Sequence, residues 1–191
     1  MPADGEGQRL VVGFSGSSAP HLGETFLRVC QDIEGLETHL VMSRGARRSI
    51  ELEMHEDPSV IEALASVSYD PGDMGAAISS GSFLTIGMVV IPCSMGALAG
   101  ITAGTSTDLL RRAADVTLKE RRPLVLVTRE TPLSLIHLRN MQAVTEAGGT
   151  VLPPVPAFYH QPKTIEDLLV HTCGKVLDQF GIRHDLFRRW S

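Results

Sequence analysis

The chain reads as an α/β protein, a three-layer sandwich whose mostly parallel sheet is covered by helices on both faces. Short apolar runs at 9–14, 38–42, 87–92, 124–128 and 150–152 have the length and β-branched content of strands buried on both sides. Between them lie stretches with apolar residues three and four positions apart, so strands and helices alternate, the order that builds parallel crossovers. The 191 residues hold no internal repeat, heptad run or low-complexity linker. One domain over 9–182 follows, with a polar tail at 1–8 and a basic tail at 183–191.

The first strand, 9–14, runs into the small-residue turn Ser15-Gly16-Ser17-Ser18-Ala19-Pro20. A helix over 21–32 follows, with Leu22, Phe26, Leu27 and Cys30 on one face. The strand at 38–42 ends at Ser43; a polar helical stretch covers 44–56, and Pro58, suited to a first helical turn, opens a short helix to about Ser66. The buried strand 87–92 leads into Cys93-Ser94-Met95-Gly96-Ala97. Thr107 or Asp108 can cap a helix running through Glu120, because either side chain accepts a free amide of the first turn. After the strand at 124–128, Ser134 starts a helix that Gly148-Gly149 stops, and 150–152 precedes a proline-rich loop over 153–162. Thr164 and Asp167 have capping-box spacing for the last helix. Its Ile165, Leu168, Leu169, Val176, Leu177 and Phe180 keep helical periodicity until Gly181 ends it.

With 43% hydrophobic and 20% charged residues the composition is that of an ordinary globular chain. A net charge of −5 argues against an electrostatic nucleic-acid binder. No apolar run approaches the roughly 20 residues that span a bilayer. The segment 1–8 is no signal peptide and is expected to be disordered, which makes the cytoplasm the expected compartment. Cys30, Cys93 and Cys173 are too widely spaced for a disulfide framework or a zinc cluster. None of the seven histidines has His-x-x-x-His or His-Glu-x-x-His spacing, and His39 and His171 fall in a strand and a helix, so no metal is expected.

In a parallel sheet the carboxyl ends of the strands share one edge, and ligands bind in the crevice beyond it. The segments gathered there are 15–19, Ser43, 94–97, Arg129-Glu130 and 153–159. The run Leu-Val-Leu-Val-Thr-Arg-Glu-Thr at 124–131 delivers a cation for an anionic ligand and a carboxylate for proton work, although such a pair also occurs as a plain surface ion pair in a turn. Small hydroxyl and glycine residues allow close backbone approach, and amides at the following helix starts can hold a phosphate. The chain lacks Gly-x-Gly-x-x-Gly, Gly-x-x-x-x-Gly-Lys-[ST] and Gly-x-Ser-x-Gly, which speaks against a nucleotide triphosphatase or a serine hydrolase. The rim suits a phosphorylated, largely planar ligand, and flavin mononucleotide (FMN) is one candidate.

Longer motifs carry a resemblance over roughly 10–190: Ser79-Ser80-Gly81-Ser82-Phe83, the run 87–95, the run 112–126, Arg129-Glu130-Thr131-Pro132-Leu133 with His137-Leu138, and Pro153-Pro154-Val155-Pro156-Ala157-Phe158-Tyr159. The chain resembles the UbiX/Pad family of flavin prenyltransferases. The resemblance implies a Rossmann-like or flavodoxin-like fold, usually assembled as a dodecamer with sites between subunits. It also implies an activity: transfer of a dimethylallyl group from dimethylallyl monophosphate to N5 and C6 of reduced FMN, without a metal. The prenylated product would serve UbiD-type decarboxylases, including one in ubiquinone synthesis.

Carried over by position, Gly16, Ser17, Ser18, Ser43, Ser94, Met95, Gly96, Ala97 and Arg129 match family contacts to FMN. Tyr159 and Lys175 match contacts to the prenyl phosphate, Arg112 and Lys119 match further basic positions near it, and Trp190 matches a residue reaching a neighbouring subunit's site. Arg112 and Lys119 also read as solvated helix charges, and Trp190 as interface packing. Glu130, Glu53 and Ser18 match residues around the flavin and departing phosphate, with Glu130 the candidate proton shuttle. Four departures touch this set: Ala19-Pro20 where the family has a glycine and a small residue, Gly96 where a lysine is common, Thr107-Asp108 where aspartate with asparagine or glycine is common, and Lys175 where arginine is usual. They leave open an FMN-binding relative without prenyl transfer, either a flavin carrier or a cysteine-decarboxylase-like oxidoreductase. The latter class is expected to carry a histidine in the first turn, where His21 stands.

Overall fold

In the computed structural model, which describes residues 8–190, six strands form one all-parallel sheet. They are β1 (Gln8–Phe14), β2 (Leu36–Met42), β3 (Val67–Tyr69), β4 (Gly87–Cys93), β5 (Leu124–Thr128) and β6 (Thr150–Val151), in the order β3-β2-β1-β4-β5-β6. That is the Rossmann order; without the three-residue β3, the other five strands follow the flavodoxin order, so the two expected descriptions differ by one short edge strand. The helices are α1 (Pro20–Gln31), α2 (Arg44–Glu53), α3 (Pro58–Glu62), α4 (Met95–Thr102), α5 (Leu109–Lys119), α6 (Leu135–Glu146) and α7 (Ile165–Gln179).

Alternation along the strands divides the core into two layers. Leu10, Val12, Phe14, Val89, Ile91, Val125 and Val127 pack on the side of α1, α2 and α7. Val11, Val41, Met88, Val90, Leu124 and Leu126 pack on the side of α4, α5 and Val144 of α6. Both faces are dry, which is why the strands read as unbroken apolar runs. Gly23 sets how closely α1 lies on the sheet: a Cβ there would stand 2.4 Å from the Phe14 ring and 2.7 Å from the Ile91 carbonyl.

Several boundaries differ from expectation. The polar tail expected over 1–8 ends sooner, because the Gln8 amide donates to Gly35 O at 2.7 Å and joins β1; the rest of that tail, with Ser191, lies outside the described residues. The helices expected at 44–56 and 58–66 stop at Glu53 and Glu62. Asp108 rather than Thr107 caps α5, accepting from the Arg111 amide at 2.9 Å. The capping box expected of Thr164 and Asp167 is in place, and Ser134, expected to start α6, forms one with His137 as well. β3, a 3-10 turn at Ala77–Ser79 and α4 are additional elements. Residues 183–190 do not hang free: Phe187 lies 4.5 Å, ring to ring, from His171 of α7, and a Cβ at Gly174 would meet the Phe187 and His184 rings.

Burial holds the imidazoles of His39, in β2, and His171, in α7, below their ordinary pKa; His160 and Lys175 add to the effect at His171, while Glu37 opposes it at His39. The folded chain therefore keeps them neutral where the unfolded chain takes up protons. Their contribution to stability is full above the ordinary imidazole value of about 6.5 and is lost as pH falls below it. The urea midpoint is expected to drop between about pH 7.5 and about pH 5.5, and to drop less in His39→Gln. Equal slopes for the two proteins would remove His39 from this account.

Candidate functional site

β1 and β4 are neighbours in the sheet, but their crossovers leave in opposite directions, so a crevice opens between the turns at their carboxyl ends. Ser15 bridges it. The buried Ser15 hydroxyl donates to Pro92 O at 3.1 Å and accepts from the Ser94 amide at 2.7 Å, and the Ser15 amide also reaches Pro92 O. The Ser43 amide donates to Phe14 O at 2.9 Å and the Arg129 amide to Cys93 O at 3.1 Å, bringing the ends of β2 and β5 to the same rim. Ser17, buried, donates to Arg129 O at 3.1 Å and accepts from Arg129 Nε at 3.3 Å.

Three helices begin here. Ser43 caps α2, Ser94 caps α4 and Asp108 caps α5, so three partly positive N-termini border one opening. Between them lies a cleft of about 250 Å3 whose walls include Gly16, Ser43, Ser94, Gly96, Ala97 and Arg111. A second cleft of about 490 Å3 shares Ser43, Gly45, Asp108 and Arg111 with it. Gly16 has to be a glycine, because a Cβ there would come within 2.9 Å of the Gly45 backbone, and Gly45 is tight as well, with a Cβ 3.1 Å from Gly16 Cα. A Cβ at Gly96, in contrast, would meet nothing within 4 Å. The residues fit a phosphate-bearing ligand: small side chains, helix amides and an arginine line the space, and Asp108, the carboxylate on the wall, is paired with Arg111 at 3.4 Å. Met95 turns its side chain into the core beneath α4 and leaves only its backbone to the rim.

Ser18 and Glu53 meet at the β1–α1 turn. Glu53 Oε2 accepts from Ser18 Oγ at 2.9 Å and from the Ala19 amide at 3.0 Å. Ala19 sits at φ 66° in the left-handed region, which disfavours residues with a Cβ, so the chain keeps the conformation that a glycine would adopt freely. Pro20 takes the first turn of α1, where its missing amide costs no helical bond. Glu130 is exposed beside Arg129 and accepts from the Thr131 amide at 3.0 Å.

Tyr159, Trp190 and Lys175 gather at a separate corner. Tyr159 and Trp190 rings lie edge to face at 6.0 Å and, with Arg188 and Arg189, line a cleft of about 190 Å3. Lys175 pairs with Asp178, which also binds Arg189. Sequence reasoning missed His171 here, whose Nε2 shares a 2.8 Å hydrogen bond with the Tyr159 hydroxyl. Arg112 and Lys119 do not reach the rim within a single chain. Arg112 is held by Ser79 O and Asp115. Lys119, at the far end of α5, pairs with Glu120 and opens on a cleft near the amino end of β5.

The chain belongs to the flavoprotein family, whose model matches residues 2–176. Within that family it is 51% identical to the flavin prenyltransferase UbiX of Salmonella typhimurium over 96% of this chain and 98% of the relative. A crystal structure of AnUbiX (PadA1) in complex with FMN and dimethylallyl pyrophosphate superposes with a TM-score of 0.93 at 49% identity, covering 96% of this chain and 97% of that one. A dodecameric FMN-dependent UbiX-like decarboxylase from Escherichia coli O157:H7 matches with a TM-score of 0.93 at 50% identity, over 96% and 100% of the two chains.

The two kinds of rim glycine have opposite expectations. Gly16→Ala is expected to cost about 1–3 kcal/mol of stability, since only backbone lies in the way. Gly96→Ala should stay within about 0.5 kcal/mol of the wild type. Urea denaturation of the two variants checks the contrast.

Proposed function

We propose that the chain is a flavin prenyltransferase, joining the dimethylallyl group of dimethylallyl monophosphate to N5 and C6 of reduced FMN without a metal. The observation that carries this reading is the convergence of Gly16, Ser17, Ser43, Ser94, Gly96, Ala97 and Arg129 at one crevice, with Glu130 beside it. Near-complete alignment with the UbiX relatives supports it.

Reduced FMN, when bound, supplies the nucleophilic N5 and C6. The serine and helix amides hold its phosphate, while Arg129, a permanent cation braced by Ser17, offsets negative charge at the rim. Tyr159 and Lys175 receive the prenyl phosphate. Glu130 gives a proton to that phosphate as the C–O bond breaks and takes up the C6 proton once the ring has closed. Ser18 and Glu53, bonded to each other, fix the β1–α1 turn against the flavin. Trp190 and the other residues of 183–191 contribute at a subunit boundary.

Assembly completes the site in this reading. The first turns of α6 leave Leu135, Ile136 and Leu138 exposed, a surface suited to burial against another copy in a homododecamer. Arg112 and Lys119 would then serve a neighbouring subunit's prenyl phosphate. The product passes to a UbiD-type decarboxylase, and the cytoplasm is the proposed compartment; among the described residues no helix is long and apolar enough to cross a membrane.

Anaerobic incubation with reduced FMN and dimethylallyl monophosphate, followed by mass analysis of the extracted flavin, is expected to find a flavin heavier by one C5 unit. Unmodified FMN would reject the reading in favour of a flavin carrier. Glu130→Gln should hold FMN while losing about 100-fold or more in turnover. Sedimentation of Ile136→Asp is expected to give species smaller than the wild-type assembly.

A further inference from the structure

We infer that Arg111 is the side chain that grips the flavin phosphate in this chain, an assignment that rests on the FMN reading above. Arg111 projects from the first turn of α5 and lines both clefts that meet at Ser43, Gly45 and Asp108. Arg129, the rim's other cation, has its Nε engaged by Ser17 and is not on the wall of either cleft. Arg44 lines only the larger of the two.

The guanidinium is held but not saturated. Nη1 donates to Thr107 Oγ1 and lies 3.4 Å from Asp108 Oδ2, while Nε and Nη2 have no acceptor among the described residues. Those two groups form the planar fork that matches two phosphate oxygens. Gly100 makes room for it: a Cβ there would stand 2.5 Å from Nε, so α4 packs flush against the arginine and limits its rotamers. The negative charge of Asp108 is offset, since Oδ1 caps the Arg111 amide and Oδ2 faces the same guanidinium. Facing this cation is Ser43 at the start of α2, whose amides favour negative charge. Gly96 leaves the α4 wall bare at this point.

Binding of FMN and of riboflavin, which lacks the phosphate, separates this role from a general one. Measured by quenching of flavin fluorescence, Arg111→Met is expected to weaken FMN by about 10-fold or more, the range of a charged hydrogen bond, and riboflavin by less than about 2-fold. The methionine keeps a stem against Gly100, and an unchanged urea midpoint verifies folding. Adding Gly96→Lys to Arg111→Met should recover most of the FMN affinity, because a side chain at 96 has open space toward the same cleft. Equal losses for both flavins, or none for FMN, would overturn the assignment to the phosphate. A wild-type protein that holds neither flavin would instead overturn the FMN reading on which the assignment stands.

Discussion

The geometry of the crevice hangs on one buried hydroxyl. Ser15 directly follows β1, and its side chain ties that end to both Pro92 O, one residue before the end of β4, and the residue that caps α4. The two strands send their chains to opposite faces, so past the bond from the Ser15 amide to Pro92 O the sheet ladder no longer sets the distance between the two turns. Each of Ser15's bonds is worth only about 1 kcal/mol net, but a buried amide or carbonyl left without its partner costs more than that. Fixing Ser94 fixes the direction of α4, and with it the wall carrying Gly96 and Ala97. Arg129 follows through Cys93, the next residue along β4, and Ser17 closes the circuit back to β1.

The sheet was legible because its physics is one-dimensional. A strand dry on both faces has to be apolar throughout, and 87–92 and 124–128 could be little else. Caps were legible for a similar reason: Ser134 and Thr164 act on amides three residues away. α4 escaped notice because Met95–Thr102 is small and apolar on every side and lies between α5 and α6, so it shows no amphipathic period. β3 is three residues long, and only pairing with β2 makes it a strand.

Much the same division runs through the site. Residues at strand ends, from Gly16 to Arg129, could be assigned to the rim from chain order alone. Gly45 and Arg111 could not, since each matters through a contact made between elements distant in sequence: Gly45 with Gly16, and Arg111 with the mouth of the β1 and β4 turns. Arg112 is the converse case. It follows Arg111 directly, yet a step of about 100° around the helix turns it toward Ser79 and away from the crevice. Ala19 is a third kind of surprise, because hydrogen bonding from a neighbouring helix stabilises a backbone shape that its own residue type disfavours.

Asp178 gathers Lys175, His184 and Arg189 onto one carboxylate, with Arg189 gripping it through both terminal nitrogens. The chain end is thereby braced along α7, and Trp190, 84% exposed, stands out from it beside the Tyr159 ring. Backbone held this way has already given up much of its freedom before anything covers it, so docking against a second surface would forfeit less entropy than ordering a loose tail. The chain that carries this tryptophan is thus set in place in advance of any contact the ring makes.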